Sequence, residues 1–267
     1  RAMLRRMSDP TPDETVWFGD RPVEASRKAP LVRRVFDSVA GRYDLMNDLM
    51  SLGVHRLWKA AMVGQLSPRP GMVLLDVAGG TGDIAFRFLE RARARAAAVP
   101  APRGATAVVC DINPAMLAVG RRRAAERGFG DGVAWACGDA ERLPIRSASA
   151  DACTIAFGLR NVTRIDAALA EMRRVLRPGG RFLCLEFSHV AVPLLAEAYD
   201  AYSYRVLPAL GEIVTGDRDA YQYLVESIRR FPRQEDLAAR MREAGFDRVR
   251  FRNFSGGIVA LHSGWRL

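Results

Sequence analysis

Short apolar runs alternate with amphipathic stretches over most of the chain. The apolar runs lie at 72–78, 105–111, 133–137, 151–157 and 181–187, with two more near 247–253 and 257–263. Apolar positions recur at helical spacing in 83–98, 114–127, 164–176 and 234–244. This alternation predicts right-handed crossovers and a doubly wound α/β fold, with seven mostly parallel strands and helices on both faces.

The two ends of the pattern suggest a domain organisation. Residues 1–29 are rich in Pro, Asp, Glu and Arg and show no periodicity, so we expect a flexible N-terminal arm. A single domain is predicted over 30–267. Within it, 30–66 is interpreted as a helical region able to close as a lid. Residues 190–232 are predicted to form an aromatic, helical insertion after the fifth strand, on the substrate side.

A glycine-rich loop at 74–83 (LLDVAGGTGD) carries the clearest chemical signal. A buried strand runs into glycines and then opens a helix, and glycines let a ligand lie against the backbone. In a parallel sheet such a ligand binds beyond the carboxyl ends of the strands. The spacing Gly80-x-Gly82-x-x-Ala85 also fits the dinucleotide fingerprint, which leaves a nicotinamide cofactor as an alternative.

Acidic residues favour S-adenosylmethionine over a dinucleotide. Asp83 would place a carboxylate where a dinucleotide puts its pyrophosphate, whereas the cationic sulfonium and ammonium of S-adenosylmethionine suit Asp76 and Asp83. Asp111 ends the second strand, where it can accept both ribose hydroxyls. Asp139 follows the third strand, near the expected adenine edge, with Ala140 offering a backbone contact. Asp83 could instead cap a helix, and Asp111 could be a turn residue.

With these residues in view, the chain resembles the C-methyltransferases of ubiquinone and menaquinone biosynthesis, the 2-methoxy-6-polyprenyl-1,4-benzoquinol methylases and demethylmenaquinone methyltransferases. The resemblance extends from about Val35 to the C-terminus. The segments that carry it are 35–59 (VFDSVAGRYDLMNDLMSLGVHRLWK), the glycine loop, 157–163 (FGLRNVT), 174–180 (RVLRPGG), 185–188 (LEFS), 199–203 (YDAYS) and 223–229 (YLVESIR). It implies a Rossmann-like class I methyltransferase fold with one antiparallel strand near the C-terminus.

The resemblance also assigns cofactor contacts. Those of the family fall on Thr81, Asp111 and the pair Asp139–Ala140. Ala156 stands where many relatives have serine, so a hydroxyl contact is absent while a backbone contact could remain. The complete predicted cofactor set is Asp76, Gly80, Thr81, Gly82, Asp83, Asp111, Asp139, Ala140 and Ala156.

The implied reaction moves a methyl group to a ring carbon of a polyprenylated benzoquinol or naphthoquinol. Arg160 is the predicted catalytic residue that stabilises the phenolate, because a fixed cation in a dry site favours the ionised phenol. Asn161, Tyr202 or a water would relay the proton. A structural salt bridge is the alternative for Arg160, and core packing for Tyr202. Three scattered histidines indicate no metal site.

Apolar residues before the glycine loop could hold the prenyl tail, although core packing explains them equally well: Tyr43, Leu45, Met46, Leu49, Met50 and Leu52. The alternative functions are a methyltransferase for another small aromatic or lipid acceptor and a non-catalytic subunit of a quinone-synthesis assembly. An added nucleic-acid recognition domain is not evident, so no nucleic-acid partner is expected.

The net charge of +10 indicates either an ordinary Arg-rich surface or attraction to an anionic membrane. The sequence contains no run of about 20 apolar residues, the length needed to span a bilayer. The four cysteines are expected to be buried free thiols in a reducing compartment. These features favour a cytoplasmic protein peripheral to the inner (plasma) membrane over the mitochondrial matrix. A quinone-biosynthesis complex or a homodimer remains open.

Overall fold

The computed structural model describes residues 14–39, 48, 51, 53–96, 104–190 and 218–267. Its first element is a hairpin of β1 (Thr15–Phe18) and β2 (Arg21–Glu24), joined by the two-residue turn Gly19–Asp20. Helix α1 (Ala25–Val39) follows directly. The Ala25 N–H donates to the Glu14 carbonyl at 2.8 Å, which joins the start of the helix to the hairpin.

The hairpin corrects the prediction of a flexible arm for the part of 1–29 that is described. Phe18 is buried and stacks on Tyr223, with ring centroids 4.2 Å apart. Arg230 lies over the Trp17 ring at 3.7 Å and pairs with Asp20 at 2.9 Å. These strands are four residues long and are ordered by partners some 200 positions away, so local periodicity does not reveal them. The predicted helix start at Pro30 is also late, because Pro30 lies inside α1.

The remaining elements form one seven-stranded sheet and its helices. The strands are β3 (Val73–Val77), β4 (Thr106–Asp111), β5 (Val133–Cys137), β6 (Ala150–Ala156), β7 (Leu176–Phe187), β8 (Asp247–Phe254) and β9 (Val259–Arg266). The helices are α2 (His55–Leu66), α3 (Asp83–Ala96), α4 (Pro114–Glu126), α5 (Ile165–Val175), α6 (Arg218–Arg230) and α7 (Gln234–Glu243).

The strand order is β5-β4-β3-β6-β7-β9-β8. Strands β3 to β7 pair in parallel, and β9 runs antiparallel to both of its neighbours. The predicted mostly parallel sheet with one antiparallel strand near the C-terminus is therefore confirmed. The order reverses at β3, since the chain continues to β4 on one side and reaches β6 on the other. That reversal opens a crevice at the carboxyl ends of the strands.

Successive residues along the strands contribute to two separate apolar clusters. Leu74 and Leu183 belong to one, which α2, α3, α4 and α6 cover. Their neighbours Leu75 and Cys184 belong to the other, which α5 and α7 cover. Because side chains alternate across a strand, the two clusters lie on opposite faces of the sheet. The predicted helices on both faces are confirmed.

Other predictions are met in part. Three cysteines are buried, whereas Cys137 is exposed at the end of the edge strand β5. Residues 191–217, most of the predicted insertion, lie outside the described part of the chain, as does the predicted tail-binding segment 43–47, 49, 50 and 52. None of the described helices is both long and apolar enough to cross a membrane.

Candidate functional site

Two adjoining pockets form a crevice at the carboxyl ends of β3, β4, β5 and β6. They share the lining residues Val32, Ala78, Ile112, Gly158 and Asn161. One pocket is completed by Arg33, Phe36, Gly80, Asp111, Asn113, Met116 and Phe157, and the other by Ala29, Gly138, Asp139, Ala140, Glu141, Val162 and Thr163. Helix α1 covers the crevice, so the helical region predicted to act as a lid does contribute to its wall.

Glycines keep this crevice open. A side chain at Gly158 would place its Cβ 2.6 Å from the Cβ of Ala78, and one at Gly80 would approach Met116 Cε to 3.1 Å. Gly80 also has a φ of +54°, which other residues adopt only with strain. The walls are therefore bare backbone where a flat ligand could lie.

Two residues without that freedom also adopt positive φ at the crevice. Ala78 has a φ of +48° just after β3, and Phe157 has a φ of +59° just after β6. Such backbone strain persists where the surrounding packing imposes it, and it is concentrated at functional sites. Both residues line the crevice at the point where the strand order reverses.

Asp111 is the central polar group of the crevice. Its Oδ2 accepts the Gly80 N–H at 2.8 Å, and its Oδ1 accepts the Asn113 N–H at 2.8 Å. Burial raises the pKa of Asp111, while the backbone N–H groups oppose that shift. A carboxylate has about four acceptor positions, so Asp111 can still accept a hydrogen bond from a ligand hydroxyl. This is where the sequence places the ribose.

Asp139 and Ala140 line the other end of the crevice. Asp139 Oδ1 accepts the Glu141 N–H at 2.9 Å, which orders the turn after β5. Glu141 in turn accepts the backbone N–H groups of Thr163 and Arg164 at 3.0 and 2.9 Å. The turn that carries the predicted adenine contacts is thereby joined to the start of α5.

Asp76 lies beneath the crevice and does not line it. It is 1 % exposed, and its Oδ1 accepts the Thr154 hydroxyl at 2.8 Å. Its Oδ2 has no hydrogen-bond partner among the described residues and lies 2.7 Å from where a Cβ at Gly79 would stand. Burial raises the pKa of Asp76 to about 7, against the hydrogen bond from Thr154.

Asp83 also lies outside the crevice lining, with both of its oxygens paired. Lys59 Nζ is 3.0 Å from Oδ2, and Arg87 Nε is 2.9 Å from Oδ1. Burial opposes ionisation of Asp83, but these cations outweigh it and lower the pKa of the carboxyl. Asp83 thus fixes the glycine loop against α2, a role the sequence did not suggest.

Two of the other predicted cofactor residues, Thr81 and Gly82, contact elements beside the glycine loop. The Thr81 hydroxyl accepts a hydrogen bond from Arg123 at 3.2 Å, and a side chain at Gly82 would collide with Trp135. Thr81, Gly82 and Ala156 do not line either pocket. The structure therefore brings Gly80, Asp111, Asp139 and Ala140 together around the crevice and places the remaining five outside its lining.

Arg160 forms a buried ion pair and does not face this crevice. One terminal nitrogen donates to Glu186 Oε1 and to the Phe157 carbonyl, both at 2.6 Å. The two side chains are 2 % and 1 % exposed. Burial raises the pKa of Glu186, and the Arg160 guanidinium beside it opposes the shift. Arg160 lines a separate cavity of about 290 Å³ with Lys28 and Tyr223. The structural salt bridge considered as an alternative is what the structure contains.

Asn161, the next residue, does line the crevice. Its Oδ1 accepts the Tyr223 hydroxyl at 3.0 Å. Tyr202, the third predicted catalytic residue, lies outside the described part of the chain. Of the two predicted catalytic residues that are described, Asn161 lines the crevice and Arg160 does not.

Sequence reasoning missed two polar residues that shape the site. Asn113 caps α4 by accepting the N–H groups of Ala115 and Met116, and its Nδ2 donates to Asp37 of α1 at 2.8 Å. The Asn-Pro start of a helix after Asp111 was a readable signal for that cap. Tyr223 gave no local signal, because its partner Asn161 is 62 residues away.

The crevice fits S-adenosylmethionine better than a dinucleotide. Bare backbone at Gly80 and Gly158 leaves room for a flat ligand. Among the described residues, three carboxylates line the crevice, those of Asp111, Asp139 and Glu141, against the one cation of Arg33. The start of α3, where a pyrophosphate would bind, holds the Asp83 carboxylate.

Comparison with known proteins gives consistent matches. The model of the ubiE/COQ5 methyltransferase family matches residues 23–266. The chain is 58 % identical over 259 residues to "Ubiquinone/menaquinone biosynthesis C-methyltransferase UbiE" of Paracoccus denitrificans (strain Pd 1222), covering 96 % of this chain and 100 % of the relative. It is 55 % identical over 278 residues to "2-methoxy-6-polyprenyl-1,4-benzoquinol methylase, mitochondrial" of Oryza sativa subsp. japonica, covering 98 % and 95 %.

A solved structure from Thermotoga maritima, described as a SAM-dependent methyltransferase, superimposes with a TM-score of 0.59. It is 18 % identical and covers 88 % of this chain and 100 % of that one. At this identity the match supports the fold alone.

The buried carboxyl of Asp76 makes stability depend on pH. Its pKa is about 7 in the folded protein and near 3.8 when unfolded, so stability falls as pH rises through that window. Asn cannot ionise. We therefore expect the stability of Asp76→Asn relative to wild type to increase by about 2–3 kcal/mol between pH 5 and pH 8. Urea unfolding of the ligand-free protein at both pH values measures it.

Asp83→Asn is the matched control for that experiment. Its carboxyl has a lowered pKa, so it is ionised at pH 5 and pH 8 alike, and the variant should be destabilised equally at both. If the unfolding free energy of Asp76→Asn varied with pH as that of wild type does, the raised pKa of Asp76 would be contradicted.

The buried Arg160–Glu186 ion pair is expected to stabilise the fold. Arg160→Ala leaves a buried carboxylate without its partner and should destabilise the protein by about 3–5 kcal/mol. The double variant Arg160→Met/Glu186→Gln should recover most of that loss. Arg240→Ala, which breaks an exposed pair with Asp166, should cost less than about 1 kcal/mol. Urea unfolding that shows wild-type stability for Arg160→Ala would mean that the pair is not a structural contact.

Proposed function

This chain belongs to the ubiE/COQ5 methyltransferase family, and from that membership we propose that it methylates a ring carbon of a polyprenylated benzoquinol, naphthoquinol or both. Family membership confirms the predicted enzyme class, a methyltransferase, and the predicted cofactor, S-adenosylmethionine. The observation that carries the proposed substrate is identity of 50–58 % over nearly the whole chain to proteins named for quinone biosynthesis.

The crevice supports this assignment through its charge. Bound S-adenosylmethionine supplies an electrophilic methyl group on a cationic sulfonium. Asp111 is proposed to hold the ribose hydroxyls with its remaining acceptor positions, and the Asp139–Ala140 turn to hold the adenine edge. Asp76 acts from below: its unpartnered Oδ2 adds negative potential under the glycine loop when it is ionised.

Asn161 is proposed as the catalytic residue that binds the acceptor. It lines the crevice between the glycine loop and Asp139, so a ring placed there can reach its side chain. A side-chain amide can donate to the oxygen of a phenol as negative charge grows on it, and such donors stabilise transition states in dry sites. Loss of the phenolic proton to solvent enriches the ortho and para carbons, which must lie close to the methyl group for transfer. The methyl group then moves from sulfur to the ring carbon, the donor leaves as a neutral thioether, and the proton of that carbon is lost to solvent.

Arg160 is proposed as a positioning residue in this scheme. Its charge is neutralised by Glu186, so it is a poor partner for a second anion. Its hydrogen bond to the Phe157 carbonyl instead secures the turn that presents Asn161. We propose no role for Tyr202, because that residue lies outside the described ranges.

Incubation with S-adenosylmethionine tests the proposed reaction. Methyl-labelled donor and demethylated quinols with short prenyl tails, reduced in situ, should yield a product with the label on a ring carbon, located by mass spectrometry and NMR. Parallel assays with a benzoquinol and a naphthoquinol show which of the two rings the enzyme methylates. Label on an oxygen, or turnover only with a different aromatic acceptor, would overturn the proposed substrate. Cofactor binding without transfer to any acceptor would favour the non-catalytic alternative.

We also propose that the enzyme acts at a membrane surface, since a polyprenyl acceptor resides in lipid. A groove of about 380 Å³ beside the edge strand β8 is lined by Arg181, Arg248, Arg250 and Arg252 together with Trp265. Arginines near an anionic bilayer contribute about 1 kcal/mol each, and tryptophan suits the interface. A cytoplasmic location beside the inner membrane, a quinone-biosynthesis complex and a homodimer stay predictions.

Sedimentation with lipid vesicles measures this association. Binding to vesicles containing anionic phospholipid, lost in high salt and weakened by Arg248→Ser/Arg252→Ser, is the expected result. Equal binding of wild type and this variant would show that the groove is not the contact, and no binding to anionic vesicles would refute the membrane proposal.

A further inference from the structure

We propose that Tyr223 is a positioning residue that fixes the side-chain amide of Asn161 so that its NH2 group faces the acceptor. The inference rests on the proposed function, in which Asn161 binds the acceptor oxygen. It assigns a role to a residue that the sequence did not single out. The juxtaposition that carries it is the contact between the Tyr223 hydroxyl and Asn161 Oδ1 at 3.0 Å.

An asparagine amide has two chemically opposite ends, an accepting oxygen and a donating NH2. With one end held by Tyr223, the other end is directed elsewhere, and Asn161 lines the crevice. A hydroxyl that donates to Oδ1 leaves NH2 as the available end. The flipped amide would direct its oxygen to the crevice, where an acceptor phenolate would meet a like partial charge.

The surroundings of Tyr223 hold its hydroxyl as a donor. The side chain is 3 % exposed, and its ring stacks on Phe18 with an interplanar angle of 18°. Burial raises the pKa of Tyr223, with Arg160 opposing and Glu186 reinforcing that shift. The phenol therefore keeps its proton at physiological pH and does not serve as a general base.

The stacking of Tyr223 on Phe18 links the Tyr223–Asn161 hydrogen bond to the N-terminal hairpin. Tyr223 lies on α6 and Phe18 on β1, while Asn161 follows β6. Three segments that are distant in sequence thus converge on one amide group. Because the buried Tyr223 ring stacks on Phe18, the Tyr223 hydroxyl is held in place before the acceptor binds. A hydrogen bond that is formed in advance in this way is preorganised.

Tyr223→Phe tests the proposal because it removes the hydroxyl and keeps the ring that stacks on Phe18. We expect kcat to fall about tenfold, in the range of one lost hydrogen bond, with the KM for acceptor and the Kd for S-adenosylmethionine within twofold of wild type. The pH–rate profile should keep its shape, since the phenol that is removed keeps its proton over the working pH range. Tyr221→Phe, at a buried tyrosine of the same helix that does not line the crevice, is the matched control and should retain wild-type kcat.

Asn161→Ala and the double variant show whether Tyr223 acts through Asn161. Asn161→Ala should lower kcat by about a hundredfold or more, and Asn161→Ala/Tyr223→Phe should be no slower than Asn161→Ala alone. Multiplicative losses in the double variant would mean that Tyr223 acts by another route and would overturn the proposal.

Asn161→Asp supplies a second test that does not alter Tyr223. It keeps an oxygen for the Tyr223 hydroxyl and turns an oxygen, in place of NH2, toward the acceptor. We expect it to be at least as slow as Asn161→Ala. Activity near wild type would show that the donating end does not face the acceptor, and would overturn the proposal.

Failure of the proposed role of Tyr223 and failure of the proposed role of Asn161 give different results. If Tyr223→Phe turns over like wild type while Asn161→Ala is impaired, the positioning role is wrong and the proposed function stands. If both variants turn over like wild type, Asn161 does not bind the acceptor and the premise itself is wrong.

Discussion

The hydrogen bonds of Asp111 are the interaction on which the site depends most. One oxygen holds the Gly80 N–H after β3, and the other holds the Asn113 N–H before α4. Asn113 then caps α4 and donates to Asp37 of α1. A single carboxylate therefore connects the ends of two neighbouring strands to the helix that covers them. The width of the crevice follows from this connection, as does the presence of negative charge in its lining.

The distribution of ion pairs leaves that charge available to a ligand. Lys59 and Arg87 are engaged with Asp83, and Arg160 with Glu186, away from the crevice lining. Asp111 and Asp139 are held by backbone N–H groups instead, which orient a carboxylate without neutralising it. In a protein of net charge +10, this arrangement keeps the crevice suited to a cationic cofactor.

Much of the fold could be predicted from the sequence because its signals are local. Each core strand is an apolar run long enough to show its character. Asp111, the last residue of β4, and Asp139, just after β5, mark the carboxyl ends. The hairpin was missed because Phe18 is buried among residues distant in sequence, Tyr223 among them. The buried partner of Arg160 was missed for a similar reason. Glu186 stands alone among apolar residues of β7 and, as an acid in a buried strand, was itself the clue to a buried cation. Which side of the glycine loop Asp76 and Asp83 face depends on Thr154 and Lys59, and such pairings are not visible from spacing.

A crystal structure with S-adenosylmethionine, or its demethylated product, would show directly whether Asp111 holds the cofactor. We expect both ribose hydroxyls on Asp111, the adenine beside the Asp139–Ala140 turn, and the cofactor lying against the bare backbone of Gly80. A cofactor bound away from Asp111, or a crevice that saturating ligand leaves empty, would contradict this expectation.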